Sequence, residues 1–295
     1  MLPDKGSSLY FDPVPSGPQL DGLGNSQTRP QLVVQEQQME ASSHKPASGR
    51  PIFHNQIKRQ ARPHFVKSIG PKLIPFLKTF CIYFVLWLPT SNPSWISALV
   101  KCLPVLSLAF FVLAHGFSLG TFPPYSRKIL SGLLFSALGD VFLTWGDQGF
   151  FIHGMLMFGI SHILYSWAFG FRPLRLGLAL SILVLGAVYY VAVYSYLQGP
   201  MVYALVGYVL VLGAMSWRAI ARAGVSRYNQ SWSHGCTVAG AVIFVASDLI
   251  LSIDRFCFAL PYARAIVMSS YYIAQMLITL SIVEHSDQDS LWKRN

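Results

Sequence analysis

From Leu73 to Val283 the chain alternates apolar stretches with short polar connections. A helix needs about 20 apolar residues to cross a bilayer, and on that measure we count roughly eight spans. They are Leu73 to Leu88, Trp95 to Leu113, Ile129 to Trp145, Phe150 to Gly170, Leu174 to Tyr194, Met201 to Ile220, Cys236 to Ile253 and Ala263 to Val283. The expected fold is all-α: a polytopic membrane helix bundle with about eight transmembrane helices. The first span is short and carries Lys78, whose ammonium can snorkel to the nearer interface.

Ahead of the spans, Pro13, Pro15, Pro18, Gly22, Gly24, Pro30 and the run from Gln35 to Gln38 show no hydrophobic periodicity. Such a segment buries too little apolar surface to fold. The expected organisation is a disordered N-terminal extension over 1–66, a transmembrane domain over 67–285 and a short cytosolic C-terminal tail over 286–295. No signal peptide pattern precedes Leu73, so the first span is expected to be an uncleaved anchor that leaves the tail in the cytosol.

Composition agrees with a membrane class, at 53% hydrophobic and only 12% charged residues. The net charge of +10 is concentrated in the tail and in alternate connections. Lys58, Arg59, Arg62, Lys67 and Lys72 precede the first span; Arg127 and Lys128, then Arg172 and Arg175, then Arg218, Arg222 and Arg227, then Lys293 and Arg294 follow at every second connection. Lys and Arg accumulate on the cytosolic side, so both termini are expected there. The connection with Arg255 and Arg264 is the exception. No basic patch interleaves with exposed aromatics, so the charge points to membrane lipid and no nucleic acid partner is expected. Cys81, Cys102, Cys236 and Cys257 have neither metal-ligand spacing nor a disulfide pattern and read as packing residues.

Two carboxylates break the apolar pattern: Asp140 and Asp248. Ionisable groups at membrane depth are costly, which makes each a candidate functional residue. At about 1.5 Å per residue, Asp140 lies about 7 Å from Trp145, Asp248 about 9 Å from Asp254, and Lys101 about 9 Å from Trp95. With His153 in the first turn of its span, four helices bring a polar group to one depth near the non-cytosolic face. Gly132, Ser136 and Asp140 recur every four residues, a small-residue stripe that turns Asp140 into the bundle. Tyr271, Gln275 and Thr279 form a second polar stripe that can supply hydrogen bonds. His153 and His162 are nine positions apart, about 180° around a helix, so they face opposite ways and no shared metal is expected. Ala137 to Leu143 and Val245 to Leu251 also resemble each other, as a parallel duplication of a four-helix unit would leave them.

Several longer motifs carry a resemblance: Lys101-Cys-Leu-Pro104, Gly132 to Asp140, His153-Gly-Met-Leu-Met-Phe158 with Ser161-His162 and Tyr165, Ser247-Asp248-Leu249, and Tyr271 to Leu277. Together they resemble the YhhN family of membrane lysoplasmalogenases, in its transmembrane-protein-86 branch, from about Phe65 to Glu284. The resemblance implies hydrolysis of the vinyl ether bond of lysoplasmalogens, with a lysophospholipid as substrate and no cofactor. It also implies a multi-pass protein of the endoplasmic reticulum membrane, and leaves room for a homodimer. Vinyl ether cleavage needs a proton on the outer alkene carbon and water on the oxocarbenium ion that results, a task for one carboxylic acid and one carboxylate. Asp140 and Asp248 are the expected catalytic pair, with Lys101, His153, Tyr271 and Gln275 as substrate-binding or electrostatic support.

Other readings compete on the same residues. Intramembrane acids near a repeat interface also mark the path of a proton-coupled transporter or channel. A metal-dependent hydrolase and a noncatalytic lipid scaffold are further alternatives. The bland reading of the aspartates is a polar network that locks helices together.

Overall fold

The computed structural model describes residues 70–292, except 90–91, 119, 121 and 224–231, with backbone alone for 284–292. The expected disordered extension over 1–66 lies outside the described residues. Among these, all regular structure is helical: α1 (70–86), α2 (Trp95–Ser118), α3 (Pro124–Thr144), α4 (Phe151–Phe169), α5 (Leu176–Tyr194), α6 (Met201–Ala223), α7 (Trp232–Ser252) and α8 (Ala263–Trp292). Each expected apolar stretch falls on one of these helices.

Five of them, α2, α5, α6, α7 with its extension to Cys257, and α8 as far as Val283, are long and apolar enough to cross a membrane. The chain is a multi-span membrane protein. In α3 and α4 the apolar character is broken by Ser136, Asp140, Ser161 and His162, all buried inside the bundle. At the other extreme, α5 is apolar all round and buries only Val193. An exposed helix of that kind is at home against lipid tails, which are as apolar as its own side chains.

Local chemistry marks the helix ends. Ser94 and Ser97 exchange backbone-to-hydroxyl hydrogen bonds of 2.9 and 3.1 Å, a capping box with Ser in the usual Glu position, which satisfies two orphan amides of α2. Pro123 and Pro124 open α3, where a missing N–H costs nothing. Gly170, at φ +83°, ends α4. Beyond Ser252 the last turn widens into a π-helical segment, Ile253–Cys257. The eighth helix outruns its apolar stretch, so the expected tail over 286–295 is helical as far as Trp292.

Close packing sets the core. A Cβ on Gly132 would lie 2.3 Å from the Tyr165 ring, and one on Gly139 would lie 2.7 Å from Phe158. Gly132, from the small-residue stripe, and Gly139 beside it thus let α3 press against α4. Helix α2 packs on α3 and α8, while α6 packs on α7 and α4; α3–α4 and α7–α8 are the tightest pairs. Exchanging α2 with α6, α3 with α7 and α4 with α8 leaves that set of neighbours unchanged, the pattern a parallel four-helix duplication leaves. Its consequence is that Asp140 on α3 and Asp248 on α7 occupy corresponding places.

Candidate active site

Asp140 and Asp248 line one cavity of about 100 Å³. That volume admits more than one water. Its remaining walls are largely apolar, with Leu143, Phe151, Met155, Leu205, Val209 and Leu212 among them. Such a lining suits a hydrocarbon chain with a reactive group at one end.

Each carboxylate is held in the same manner from two helices. Tyr271 on α8 donates its hydroxyl to Asp140 Oδ2 at 2.8 Å, and Lys101 Nζ on α2 lies 3.8 Å from Oδ1. Tyr208 on α6 donates to Asp248 Oδ2 at 2.6 Å, and His162 Nε2 on α4 lies 3.8 Å from the same oxygen. The two settings differ in accessibility: the Asp140 side chain is 2% exposed and that of Asp248 15%. Both carboxyls line the cavity, and that of Asp248 is the more accessible.

Lys101 is positioned by its own backbone. Pro104 interrupts the hydrogen-bond ladder of α2, and Tyr272 donates its hydroxyl to the Lys101 carbonyl at 2.7 Å. Ser247, beside Asp248, donates to the Val267 carbonyl at 2.9 Å, tying α7 to α8. The site is therefore fixed by interhelical hydrogen bonds, which persist where no water competes for them.

A model of the YhhN family matches residues 96–282, the stretch that carries every group just described. The chain belongs to the YhhN family. Over 219 residues it is 50% identical to the Bos taurus protein named lysoplasmalogenase TMEM86A, covering 74% of this chain and 91% of that one. The human protein of the same name is 48% identical over 219 residues, with the same coverage. The human protein named lysoplasmalogenase TMEM86B is 42% identical over 209 residues, covering 71% of this chain and 85% of that one. No solved structure matches the chain.

In this YhhN-family protein the residues singled out from sequence divide by position. Asp140, Asp248, Lys101 and Tyr271 line one cavity. Gln275 lies one turn beyond Tyr271, outside the cavity; it accepts from Tyr165 at 2.7 Å and donates to Ser136 at 2.9 Å, and Ser136 in turn bonds Ser161 at 2.8 Å. Gln275 thus braces α3, α4 and α8 behind the site. Thr279, the third member of its stripe, is buried, and its hydroxyl has no hydrogen-bond partner among the described residues. His153 does not join the group. It faces outward, stacked on Phe142 and tilted against Phe150, with ring centroids 5.7 and 5.6 Å away.

Two neighbours of Asp248 escape a sequence reading: Tyr208 and His162. Tyr208 sits in an apolar helix with no polar stripe to betray its facing. His162 is fully buried, on the face opposite His153 as their spacing requires, and bonds Tyr208 at 3.1 Å. It faces α6 and α7, where it also meets the Phe244 ring edge-on, while its neighbour Ser161 meets Ser136 on α3. Among the described residues no group of three His, Cys, Asp or Glu side chains is arranged to hold a metal ion.

Proposed function

We propose that this protein hydrolyses the vinyl ether bond of lysoplasmalogens, releasing a fatty aldehyde and glycerophosphocholine or glycerophosphoethanolamine. One observation carries the reading beyond the names of the relatives: two carboxyl groups, each steadied by a tyrosine hydroxyl, open into one apolar cavity. The proposed sequence begins with one aspartic acid delivering its proton to the outer alkene carbon, which leaves an oxocarbenium ion at the inner carbon. The other carboxylate takes a proton from water as the water oxygen bonds to that carbon. In the collapse of the hemiacetal the first carboxylate takes the hydroxyl proton and the second carboxyl gives its proton to the departing glycerol oxygen, so aldehyde and alcohol leave and both carboxyls return to their starting states. Lys101 and Tyr271 on one side, and Tyr208 with His162 on the other, hold the carboxyls against drift in a site with little solvent to do so. The alkenyl chain lies along Leu143, Met155, Leu205, Val209 and Leu212.

Matched lysophospholipids with alkenyl, alkyl and acyl chains separate this reaction from others. Purified protein is expected to release aldehyde from the alkenyl lipid alone, measured by mass spectrometry. Fatty acid from the acyl lipid, or no product at all, sinks the reading.

All eight helices are proposed to span the endoplasmic reticulum membrane with both termini cytosolic. The alternation of basic connections supports that orientation. A glycan acceptor inserted at 146–149 is expected to be modified, and one appended after Asn295 is not; the reverse result inverts the topology.

A further inference from the structure

A second cavity, of about 290 Å³, meets the first at Lys101, Leu143, Phe151, Leu251, Val267 and Met268. Unlike the first it is ringed by charge: Asp147, Asp254, Arg255 and Arg264 line it, together with Tyr83 and the connections at one end of the bundle. Arg255 is already engaged, in an ion pair with Asp147. Arg264 is not. Its guanidinium lies over the Trp87 ring at 4.3 Å, and its Nε donates to the Tyr83 hydroxyl at 3.2 Å. Among the described residues no carboxylate pairs with it and no acceptor takes its two terminal nitrogens.

A guanidinium held over an aromatic ring and bonded through Nε is restricted in orientation, and its two terminal nitrogens are left to take an anion. Their N–H fork matches two oxygens of a phosphate. Asp254, in the same cavity, has one carboxylate oxygen occupied by the Leu260 amide at 2.9 Å and, among the described residues, no basic partner. An anion-binding fork and a carboxylate in one chamber complement a zwitterion. These arginines are also the basic residues that break the charge alternation of the connections. A ligand-binding task accounts for positive charge at the end of the bundle where topology does not ask for it.

The spacing fits a lysolipid. Arg264 and Tyr271 lie seven residues apart along one face of α8, about 10 Å of axial rise. From the phosphorus of a lysoplasmalogen to its outer vinyl carbon there are about seven bonds, or ~8 Å at about 1.2 Å per bond in an extended chain. A phosphate at Arg264 therefore brings the labile double bond to the level of Tyr271 and Asp140.

We propose that this chamber is the headgroup site, in which Arg264 binds the substrate phosphate and Asp254 receives the cationic amine. The assignment rests on the lysoplasmalogen reading above, and its test keeps the two apart. Wild-type, Arg264→Gln and Arg264→Lys proteins are assayed with an alkenyl lysophospholipid and with an alkenylglycerol that lacks the phosphate. Binding of a saturated ether lysophospholipid, which has no double bond to protonate, is measured on the same proteins. Arg264→Gln is expected to raise KM for the phospholipid on the order of 10- to 100-fold with kcat nearly unchanged, to weaken analogue binding similarly, and to leave KM for alkenylglycerol as it was. Arg264→Lys, which keeps the charge and loses the fork, falls between. Unchanged KM and analogue binding overturn the headgroup site while leaving hydrolysis standing, as does an equal rise in KM for the phosphate-free substrate. Arg264-dependent binding of the analogue by a protein that releases no aldehyde keeps the site and removes the hydrolase.

Discussion

Replacing either Asp140 or Asp248 with Asn is expected to lower the rate of aldehyde release by roughly 10²–10⁴-fold, the usual worth of a general acid or base. Asparagine keeps the size of the side chain and an oxygen to accept from Tyr271 or Tyr208, so the hydrogen bonds that hold each position survive. What is lost is the ability to give or take a proton. The double variant is expected to be little worse than the poorer single one, because the two groups serve one proton circuit and their effects do not multiply. Purified proteins with matching size-exclusion profiles, assayed by mass spectrometry, provide the check. Full activity in either single variant removes that aspartate from the chemistry, and a double variant as poor as the product of the singles would mean that the two act independently.

The second large effect concerns the packing that brings the site together. Gly132→Ala drives a methyl group to 2.3 Å from a Tyr165 ring that is fully buried and tied by its hydroxyl to Gln275. The ring has nowhere to go, so α3 and α4 must part. Overpacking of this kind costs about 1–3 kcal/mol, which for a domain of this size is a fall of roughly 2–12 °C in Tm in detergent. Gly159→Ala is the control, since nothing lies within 4 Å of its added Cβ. Equal melting temperatures for the two variants would show that the α3–α4 contact tolerates the methyl group.

The sequence was informative wherever a property depends on one helix at a time. Hydropathy located each helix because lipid demands apolar length. Helical spacing turned Asp140 inward, since Gly132 and Ser136 share its face and the small side chains there reveal a tight neighbour. Depth was readable too: Lys101, Asp140 and Asp248, expected at one level, line one cavity, and Tyr271 joins them from its polar stripe. Depth says nothing about direction around the helix, however, and His153 shows the cost: it is at the right level and points outward.

Helix ends were less legible, because hydropathy reports only the part in hydrocarbon. Arg127 and Lys128 belong to α3 although they precede its apolar stretch, and α8 runs to Trp292, well past Val283. The partners of Asp248 were hidden for another reason. Tyr208 and His162 come from α6 and α4, far away in sequence, and only the way the two halves of the bundle interlock brings them together. That interlocking also gives Asp140 and Asp248 corresponding settings while leaving Asp248 the more accessible of the two.

Carbon protonation is the step that most sharply separates vinyl ether hydrolysis by an acid and base pair from other ways of breaking this bond. Hydrolysis of an alkenyl lysophospholipid by the purified protein in deuterium oxide reads it directly. The expected product is a fatty aldehyde with one deuterium on the carbon next to the carbonyl, formed by the wild-type protein and all but lost in Asp140→Asn and Asp248→Asn. An aldehyde without deuterium at that carbon, or labelled aldehyde released undiminished by both variants, would contradict carbon protonation by the aspartate pair.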